Sequence, residues 1–292
     1  MLDDTILIFF NQTLAHPWLD IVALALSLVG FALLPGLGLA FVRSQQHRRL
    51  GLAILAGLGV SLMVVIAVQF LAWRPRPETV RLIGPRPNFP SYPSGHAAAA
   101  FSTAIIIGLY FRSGRLWLPA LGGAGLIALS RLYLGYHYPS DLLAGTVVGL
   151  AIGAAGYGLL IAAQPGRPGW PWLLWPQVGL VLLASQMAYL DLLPTRLLRW
   201  PGADKVLHFL LFGALAFWLN LWLGGRMMRF KSWSISPALL LLVVLATLDE
   251  AGQALSPLRS VSLTDLISNF LGLFFFSWLS RRLIKPAADR KI

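Results

Sequence analysis

Apolar segments long enough to cross a lipid bilayer recur along the whole of this chain. Of its 292 residues, 57% are hydrophobic and only 12% are charged, and the mean hydropathy is +0.72. A soluble domain carries about 25% charged residues, whereas a membrane-spanning helix needs about 18 to 20 consecutive apolar residues. The sequence therefore predicts an all-α integral membrane protein.

We predict about nine transmembrane helices in two domains. A Pro- and Gly-rich segment at 164–175, with tryptophans suited to headgroup depth, predicts an interfacial linker. It separates a domain at 1–165, with five transmembrane helices, from one at 170–292, with four. Residues 2–15 are expected to form a short amphipathic helix at the membrane interface, and 97–111 a short helix surrounded by others. The predicted spans are 18–42, 50–72, 97–111, 116–132, 140–163, 171–190, 206–224, 237–255 and 265–281.

The loops divide by charge, and this division sets the predicted orientation. Arginines and lysines dominate one set of loops and the C-terminal tail, whereas every acidic residue except Asp289 falls on the other side. By the positive-inside rule, the N-terminus lies outside and the C-terminus in the cytoplasm. The net charge of +12 is therefore a topology signal, and we expect no nucleic-acid partner. Some basic residues nevertheless lie on the outer side, where anion binding is the natural reason for them: Arg74, Arg76, Arg81, Arg86, Arg131, Arg196, Arg199, Lys205 and Arg259.

Two absences bound the chemistry and the processing of the chain. It contains no cysteine, which excludes disulfides and thiolate–metal sites. It begins MLDDTILIFF, without the basic n-region of a secretory signal, so we predict no cleaved signal peptide.

Three polar segments, at 69–77, 93–96 and 130–141, end or begin helices on the predicted outer face. Because the topology rests only on hydropathy and loop charge, their convergence on one face is independent support for a shared site. Arg76 and Arg131 each offer a planar fork that pairs with two phosphate oxygens. These residues predict a clamp on one phosphoryl group.

The remaining polar residues of these segments suit phosphoryl transfer. A helix is expected to begin at Ser94, where bare amides near Gly95 would face an anion. His96 would lie beside that anion and protonate a leaving oxygen. His137 and Asp141 are four residues apart at a helix start, so the carboxylate would orient the imidazole for attack on phosphorus. Two histidines with distinct orienting groups suit a two-step phosphoryl transfer through a phosphohistidine.

Some features of this half have a plainer interpretation. Arg81 and Arg86 are interpreted as solvated loop residues, and so is Arg74. Gly145, Gly149 and Gly153 recur every four residues, which favours close packing inside the monomer over a dimer face.

The three segments resemble the type 2 phosphatidic acid phosphatase (PAP) superfamily, with its Lys-x6-Arg-Pro, Pro-Ser-Gly-His and Ser-Arg-x5-His-x3-Asp pattern. The second and third parts match in full, and the resemblance covers residues 1 to about 163. It implies metal-independent hydrolysis without a cofactor. Gln69 stands where the family has its lysine, which removes one charge from the site, and Arg74 is the candidate to replace it. The implied roles are nucleophile for His137, orienting partner for Asp141, general acid for His96, and phosphate binding for Arg76, Ser94, Gly95, Arg131 and Gln69.

The second half resembles the VanZ-like family through a set of polar residues at the outer ends of its helices. Ionisable residues at membrane depth are candidates for a functional site. The alternative is a network of salt bridges and caps that holds four helices together, for example between Arg259 and Glu250. The family implies no particular chemistry, although its fusion to a phosphatase suggests an envelope lipid as shared ligand. The candidate cluster is Asp204, His208, Glu250, Gln253, Arg259, Asp265 and Asn269, with Lys205 and Asp249 beside it.

The sequence thus predicts a lipid phosphate or diphosphate phosphatase in the bacterial plasma membrane, with its active site facing outside. Undecaprenyl diphosphate is the favoured substrate, and phosphatidylglycerol phosphate, phosphatidic acid and lipid A phosphates are rivals. Transfer of phosphate to a lipid acceptor and lipid binding or transport without turnover are the alternatives. The sequence leaves the substrate, the acceptor, the role of the second half and the oligomeric state open.

Overall fold

The computed structural model describes residues 2–163, 169–193, 201–230, 233–253 and 262–283. The chain divides into two compact units, Met1–Trp170 and Pro171–Ile292. The first contains α1 (Leu2–Ile8), α2 (Pro17–Arg43), α3 (Arg48–Ala72), α4 (Gly95–Phe111), α5 (Gly114–Tyr133) and α6 (Pro139–Tyr157). The second contains α7 (Leu174–Tyr189), α8 (Ala203–Trp222), α9 (Pro237–Gln253) and α10 (Leu263–Leu283).

Shorter elements complete the two units. α1 continues into a π-helical turn at Phe9–Thr13, and α6 into another at Gly158–Ala162. A 3₁₀ turn occupies Trp170–Leu173. The all-helical prediction did not include the antiparallel hairpin between α8 and α9, in which β1 (Met228–Phe230) pairs with β2 (Trp233–Ile235).

Each of the nine predicted spans coincides with one helix of α2–α10. Six described helices are long and apolar enough to cross a membrane, which confirms a multi-pass membrane protein. α4, α7 and α9 have 16 or 17 residues and fall short of that length. Nine crossings and the sides of the two termini therefore stay predictions. The six are Pro17–Arg43, Arg48–Ala72, Gly114–Tyr133, Pro139–Ala162, Ala203–Trp222 and Leu263–Leu283.

Helix α4 lies at the centre of the first unit and packs on α2, α3, α5 and α6. Its first turns are a run of buried alanines, which explains how a helix too short for the bilayer is accommodated. A Cβ added to Gly149 would lie 2.3 Å from the carbonyl oxygen of Ala98, and one added to Gly145 would lie 2.3 Å from that of Ser94. The glycine stripe therefore brings α6 into contact with α4 inside the monomer, as predicted.

Helix α1 is held by tertiary contacts. Leu7 is buried in a cluster with Ala97 and Leu132. Asn11, in the following turn, donates from its side chain to the carbonyl oxygens of Arg81 and Tyr133, at 2.7 Å each. The predicted helix is present at Leu2–Ile8, and its contacts place the start of the chain against the α5–α6 connection.

In the second unit, α8 packs along α10, while α7 packs on α8 and α9 packs on both α8 and α10. The buried core of this unit contains Ala216, Leu239, Leu242, Ala246 and Leu273. Because α8 packs on α7, α9 and α10, the polar residues at its N-terminal end lie beside those of α9 and α10.

Candidate active site

Three local features end and begin the helices that surround the site. α3 stops at Ala72 because Trp73 adopts a left-handed conformation (φ 45°) and prolines follow it. Gly135, with φ 79°, turns the chain after α5. α6 then begins at Pro139, whose ring is compatible with a first helical position. These breaks bring the three polar segments to one end of the first unit.

His137 and Asp141 face each other at the start of α6. Nδ1 of His137 lies 3.4 Å from Oδ2 of Asp141, and the two side chains are 3% and 0% exposed. The same Oδ2 accepts a 2.9 Å hydrogen bond from the amide of Tyr138, so the carboxylate also caps its own helix. Asp141 is therefore fixed by the helix start and placed to orient the imidazole.

The guanidinium of Arg76 lies beside the second ring nitrogen of His137. Nη1 of Arg76 lies 3.4 Å from Nε2 of His137. Arg76 is itself held by donating to the carbonyl oxygens of Phe89, Pro90 and Tyr136, at 2.7, 3.2 and 2.8 Å. Because a guanidinium only donates, these neighbours favour the tautomer with the proton on Nδ1 and the lone pair on Nε2.

Arg131 and Ser94 carry buried donors without a partner in the described part of the chain. Nε of Arg131 and Oγ of Ser94 have no hydrogen-bond partner there. Arg131 is otherwise held by Ser27, to which it donates, and by the ring of Tyr136, whose centroid lies 4.1 Å from its Cζ. The backbone of Ser94 donates to the carbonyl oxygen of Asp141 at 2.9 Å, which ties the second polar segment to the third.

His96 follows Gly95 in the first turn of α4. Its ring packs against Phe31 of α2 with centroids 4.4 Å apart. It interacts electrostatically with the guanidinium groups of Arg131 and Arg76, so it belongs to the same cluster. The sequence did not indicate Phe31 or Ser27, because residues of α2 approach the site only through tertiary packing.

Gln69 is buried beside the site, but its amide is already used. Nε2 of Gln69 donates to the carbonyl oxygen of Pro93 at 3.1 Å. The side chain thereby supports the segment that carries Ser94. Phosphate binding by Gln69 stays a prediction.

The interpretation of Arg74 as a solvated loop residue is wrong. Its side chain is 15% exposed and donates to Oδ1 of Asp141 and Oγ of Ser140 at 2.7 Å, and to Oδ2 of Asp3 at 2.8 Å. Its Cζ also lies 4.1 Å from the ring centroid of Tyr138. Arg81 pairs with Asp20 at 2.8 Å, whereas Arg86 is exposed and 3.8 Å from Glu78.

Asp3 was missed by sequence reasoning. It accepts from the amide and the hydroxyl of Ser140 and from Arg74. The acidic first turn of a short amphipathic helix carried no signal for this role, since the contact spans nearly half the chain.

Burial controls the protonation of the nucleophile candidate. His137 lies in the connection between α5 and α6, where burial lowers its pKa to about 4 although the nearby carboxylate of Asp141 raises it. His137 is therefore neutral at pH 7, as a nucleophile requires.

For Asp3, burial raises the pKa, but hydrogen bonds from Arg74 and Ser140 outweigh the effect of burial, and the net pKa is lowered.

The second polar cluster also assembles, at one end of the second unit. Nδ1 of His208 lies 3.1 Å from Oδ1 of Asn269, and Nζ of Lys205 lies 2.6 Å from Asp265 and 2.5 Å from Asp204. Gln253 donates to Asp249 at 3.3 Å, and Glu250 accepts from the amide of Ser262 at 2.5 Å. The predicted partner of Glu250, Arg259, lies outside the described residues.

Curated proteins and a solved structure match part of the chain. A curated decaprenylphosphoryl-5-phosphoribose phosphatase of Mycobacterium tuberculosis is 32% identical over 128 residues, which are 43% of this chain and 69% of that protein. An undecaprenyl-diphosphatase of Bacillus subtilis is 30% identical over 153 residues, which are 51% of this chain and 71% of that protein. A solved PAP2-type phosphatidylglycerolphosphate phosphatase from Bacillus subtilis aligns with a TM-score of 0.49 and 22% identity, over 57% of this chain and 88% of that one.

Family models divide the chain in the same way as its motifs. Residues 50–164 match the model of the PAP2 superfamily, and residues 170–284 match that of VanZ/LLP1. The first range contains the Arg76, His96 and His137 segments, and the second contains the polar cluster around His208. The chain therefore belongs to the PAP2 superfamily through its first half, to which a VanZ/LLP1 region is fused.

Proposed function

We propose that this chain is a membrane lipid phosphatase that hydrolyses a lipid phosphate or diphosphate through a phosphohistidine on His137. The observation that carries the proposal is the position of the His137 ring between Asp141, 3.4 Å from Nδ1, and Arg76, 3.4 Å from Nε2. Asp141 orients the ring, and Arg76 brings the anionic phosphoryl group to the nitrogen that carries the lone pair.

Arg131 and Ser94 support an anion at this position. Arg76 lies beside His137, and Arg131 belongs to the same cluster, so the two positive charges favour an anion between them. The unpartnered Nε of Arg131 and Oγ of Ser94 supply further donors. Buried donors without partners are costly, so a site that contains them is suited to a ligand that accepts from them.

The proposed reaction has two steps. Nε2 of His137 attacks phosphorus, the bond from phosphorus to the leaving oxygen breaks, and His96 donates a proton to that oxygen. His96 enters the first step as an imidazolium, a form that the bound phosphoryl anion beside it favours. A water molecule then attacks the phosphohistidine, the nitrogen–phosphorus bond breaks, and His96, now neutral, takes the proton of the water and returns to the imidazolium. Inorganic phosphate and the dephosphorylated lipid are the products, and the proposal includes no metal or cofactor.

We favour a polyprenyl diphosphate, undecaprenyl diphosphate in particular, as the substrate. The two curated relatives described above are named for polyprenyl-linked phosphates. Exposed aromatic side chains beside the site suit a lipid, since Trp73 is 65% and Phe89 60% exposed near the segment that carries Arg76. Phosphatidylglycerol phosphate, phosphatidic acid and lipid A phosphates are the rivals.

The mechanism is tested with the purified full chain, a panel of lipid phosphates and a chelator. We expect phosphate release in the chelator, no release by His137→Ala, and unchanged release by the matched loop variant Arg86→Gln. Substrate labelled in its transferred phosphate should leave acid-labile, base-stable label on the wild type only. Turnover by His137→Ala or a strict need for a divalent metal would refute the mechanism, and labelled lipid in place of phosphate would identify a phosphotransferase. Binding of every lipid without turnover would favour the non-enzymatic alternative.

We further propose that the site faces outside the bacterial plasma membrane. Because the chain has no cysteine, a single introduced cysteine shows on which side of the membrane it lies, without labelling of native cysteines. A cysteine at Asn88, beside the site, should react with an impermeant reagent added to intact cells, and one at Ser44, between α2 and α3, should not. The reverse pattern would invert the orientation.

A further inference from the structure

One face of helix α2 is buried beside the candidate active site. Ala23 and Ser27 are buried and Phe31 is partly buried, whereas Leu28, the residue after Ser27, is 68% exposed. Residues four apart lie on the same face of a helix. Ala23, Ser27 and Phe31 therefore form one continuous surface, which we call the buried face of α2.

The buried face of α2 is held against α5 by close packing. Ala23 packs in a buried cluster with Tyr136, which follows the end of α5. A Cβ added to Gly30 would lie 2.8 Å from Cγ1 of Ile127, so glycine at this position allows α2 to approach α5 closely. α2 is thereby fixed beside the helix that carries Arg131.

Ser27 fixes the direction of the Arg131 side chain. Its hydroxyl accepts a hydrogen bond from Nη1 of Arg131, and Ser27 is 1% exposed, so water does not compete for this bond. The guanidinium lies over the ring of Tyr136, with its Cζ 4.1 Å from the ring centroid. The ring fixes the plane of the guanidinium, and the hydroxyl fixes its rotation within that plane. Together they determine where Nε points, an atom with no hydrogen-bond partner among the described residues.

Phe31 packs on the ring of His96. The two ring centroids are 4.4 Å apart and the ring planes are inclined by 32°, so the faces of the rings overlap. A cation within about 6 Å of the centroid of an aromatic ring, over its face, is stabilised by that ring. His96 must carry a proton in order to donate one to the leaving oxygen. Phe31 therefore favours the form of His96 that acts as general acid.

The charged groups around His96 oppose its protonation. Arg131 from α5 and Arg76 from the segment after α3 both interact with its ring, and their positive charges disfavour an imidazolium. The titratable pair beside it is His137, in the α5–α6 connection, with Asp141 of α6. The contact from α2 is uncharged. Phe31 and a bound phosphoryl anion thus act together against the two arginines.

We propose that the buried face of α2 positions two groups of the active site: Ser27 directs Arg131 to the phosphate, and Phe31 holds His96 and stabilises its imidazolium. The role of Phe31 rests on the proposed function, whereas the role of Ser27 requires only that the site binds an anion. Both residues act through another side chain and are positioning residues. The match to the PAP2 model begins at residue 50, after α2, so this helix adds to the site from outside the matched range.

Phosphate binding tests Ser27 without requiring turnover. The full chain, purified in detergent, is titrated with inorganic phosphate by calorimetry. We expect Ser27→Ala to raise the Kd about 10-fold. Ser27→Cys, whose thiol is similar in size but a weak acceptor, should give an intermediate Kd. Ser61→Ala is the matched control, since Ser61 is a buried serine of α3 whose Oγ has no partner among the described residues, and it should leave the Kd unchanged.

The pH profile of kcat for undecaprenyl diphosphate tests Phe31. The alkaline limb of this profile reports the loss of the proton from the general acid in the complex with substrate. Phe31→Leu keeps an apolar side chain but removes the aromatic face, so the limb should move to lower pH by about half to one unit. Phe41→Leu makes the same change on the same helix, within the apolar cluster that also contacts Phe31, and should leave the limb in place.

Two results would overturn the proposal. One is a phosphate affinity in Ser27→Ala equal to that of the wild type, and the other is a limb that moves equally in Phe31→Leu and Phe41→Leu. Lower melting temperatures with the Kd and the limb unchanged would assign these residues to packing alone and would also overturn it. If the wild type hydrolyses no lipid phosphate, the proposed function fails and the role of Phe31 fails with it, while the phosphate titrations still decide the role of Ser27.

Discussion

Arg74 donates a 2.7 Å hydrogen bond to Oδ1 of Asp141, while the other carboxylate oxygen, Oδ2, lies 3.4 Å from Nδ1 of His137. The guanidinium therefore fixes the carboxylate that orients the proposed nucleophile. Asp3 lies behind Arg74 at 2.8 Å, so the chain of contacts runs from α1 to the imidazole. Arg74 acts through Asp141 and is a positioning residue.

Replacing Arg74 by Gln should lower kcat about 10- to 100-fold and change KM little, as for other residues that orient a reactive group. The reason is that the carboxylate of Asp141 loses its partner while the phosphate ligands Arg76 and Arg131 remain. Arg74→Lys should recover only part of kcat, because an ammonium does not reproduce the fork that contacts both Asp3 and Asp141. Steady-state kinetics against Arg86→Gln, an exposed arginine, provide the check, and a change confined to KM would contradict the assignment.

Asp3→Asn should reduce kcat less than Arg74→Gln and should destabilise the protein by about 1–3 kcal/mol, because a partly buried hydrogen bond between charged groups is lost. The lowered pKa of Asp3 means that its contribution is present above pH 3.8, its unfolded value, and is lost as pH falls through the folded value. Thermal unfolding should therefore show a gap between wild type and variant at pH 7 that narrows below about pH 4. Glu78→Gln, at an exposed carboxylate, is the control, and a gap that persists in acid would argue against the ion pair.

The acid limb of kcat/KM should lie well below pH 6.5, once corrected for ionisation of the substrate. Burial lowers the pKa of His137 to about 4, so its imidazole stays neutral and nucleophilic down to that range. The unfolded chain binds this proton near pH 6.5, so stability is full above 6.5 and falls as the pH is lowered toward 4. His137→Gln should flatten that fall in stability. An acid limb near pH 6.5 would show that His137 is more solvated than its position indicates.

Gly149→Ala should destabilise the first unit by several kcal/mol, because the added Cβ would lie 2.3 Å from the carbonyl oxygen of Ala98. Gly156→Ala, on the same helix, is the matched control, since its Cβ would have its nearest neighbour at 3.9 Å. Alanine improves helix propensity equally at both positions, by about 1 kcal/mol. Thermal unfolding of the purified variants measures the difference, and equal melting temperatures would contradict the contact between α4 and α6.

Phe89→Ala should raise KM for a lipid phosphate several-fold and leave hydrolysis of a short, water-soluble phosphate ester unchanged. Phe89 is 60% exposed, and its backbone carbonyl, which the substitution retains, accepts the bond from Arg76. The side chain therefore serves the lipid and the backbone serves the site. Kinetics on both substrates test this, and a parallel loss of activity on the soluble ester would indicate a disturbed Arg76 instead.

The sequence by itself determined the membrane class of the protein, its two halves and the three segments of the candidate site. These features are local. The hydropathy of a helix indicates whether it lies in lipid or in water. Pro139 and Asp141 define the start of α6 through interactions with residues near them in sequence. The spacing of Gly145, Gly149 and Gly153 likewise indicated a packing face, which the contact with α4 confirms.

Only the tertiary structure decided which charges meet. Arg74 looked like a solvated loop residue and Asp3 like the polar face of an interfacial helix, yet the two pair behind Asp141. The sequence also did not indicate that the amide of Gln69 donates to the carbonyl oxygen of Pro93. Such contacts depend on how helices distant in sequence pack and on which groups a long side chain can then reach. Neither composition nor residue spacing shows which of these groups lie close together in space. The sequence therefore indicated the chemistry of the site, and the packing of α1, α3 and α6 selected the residues that support it.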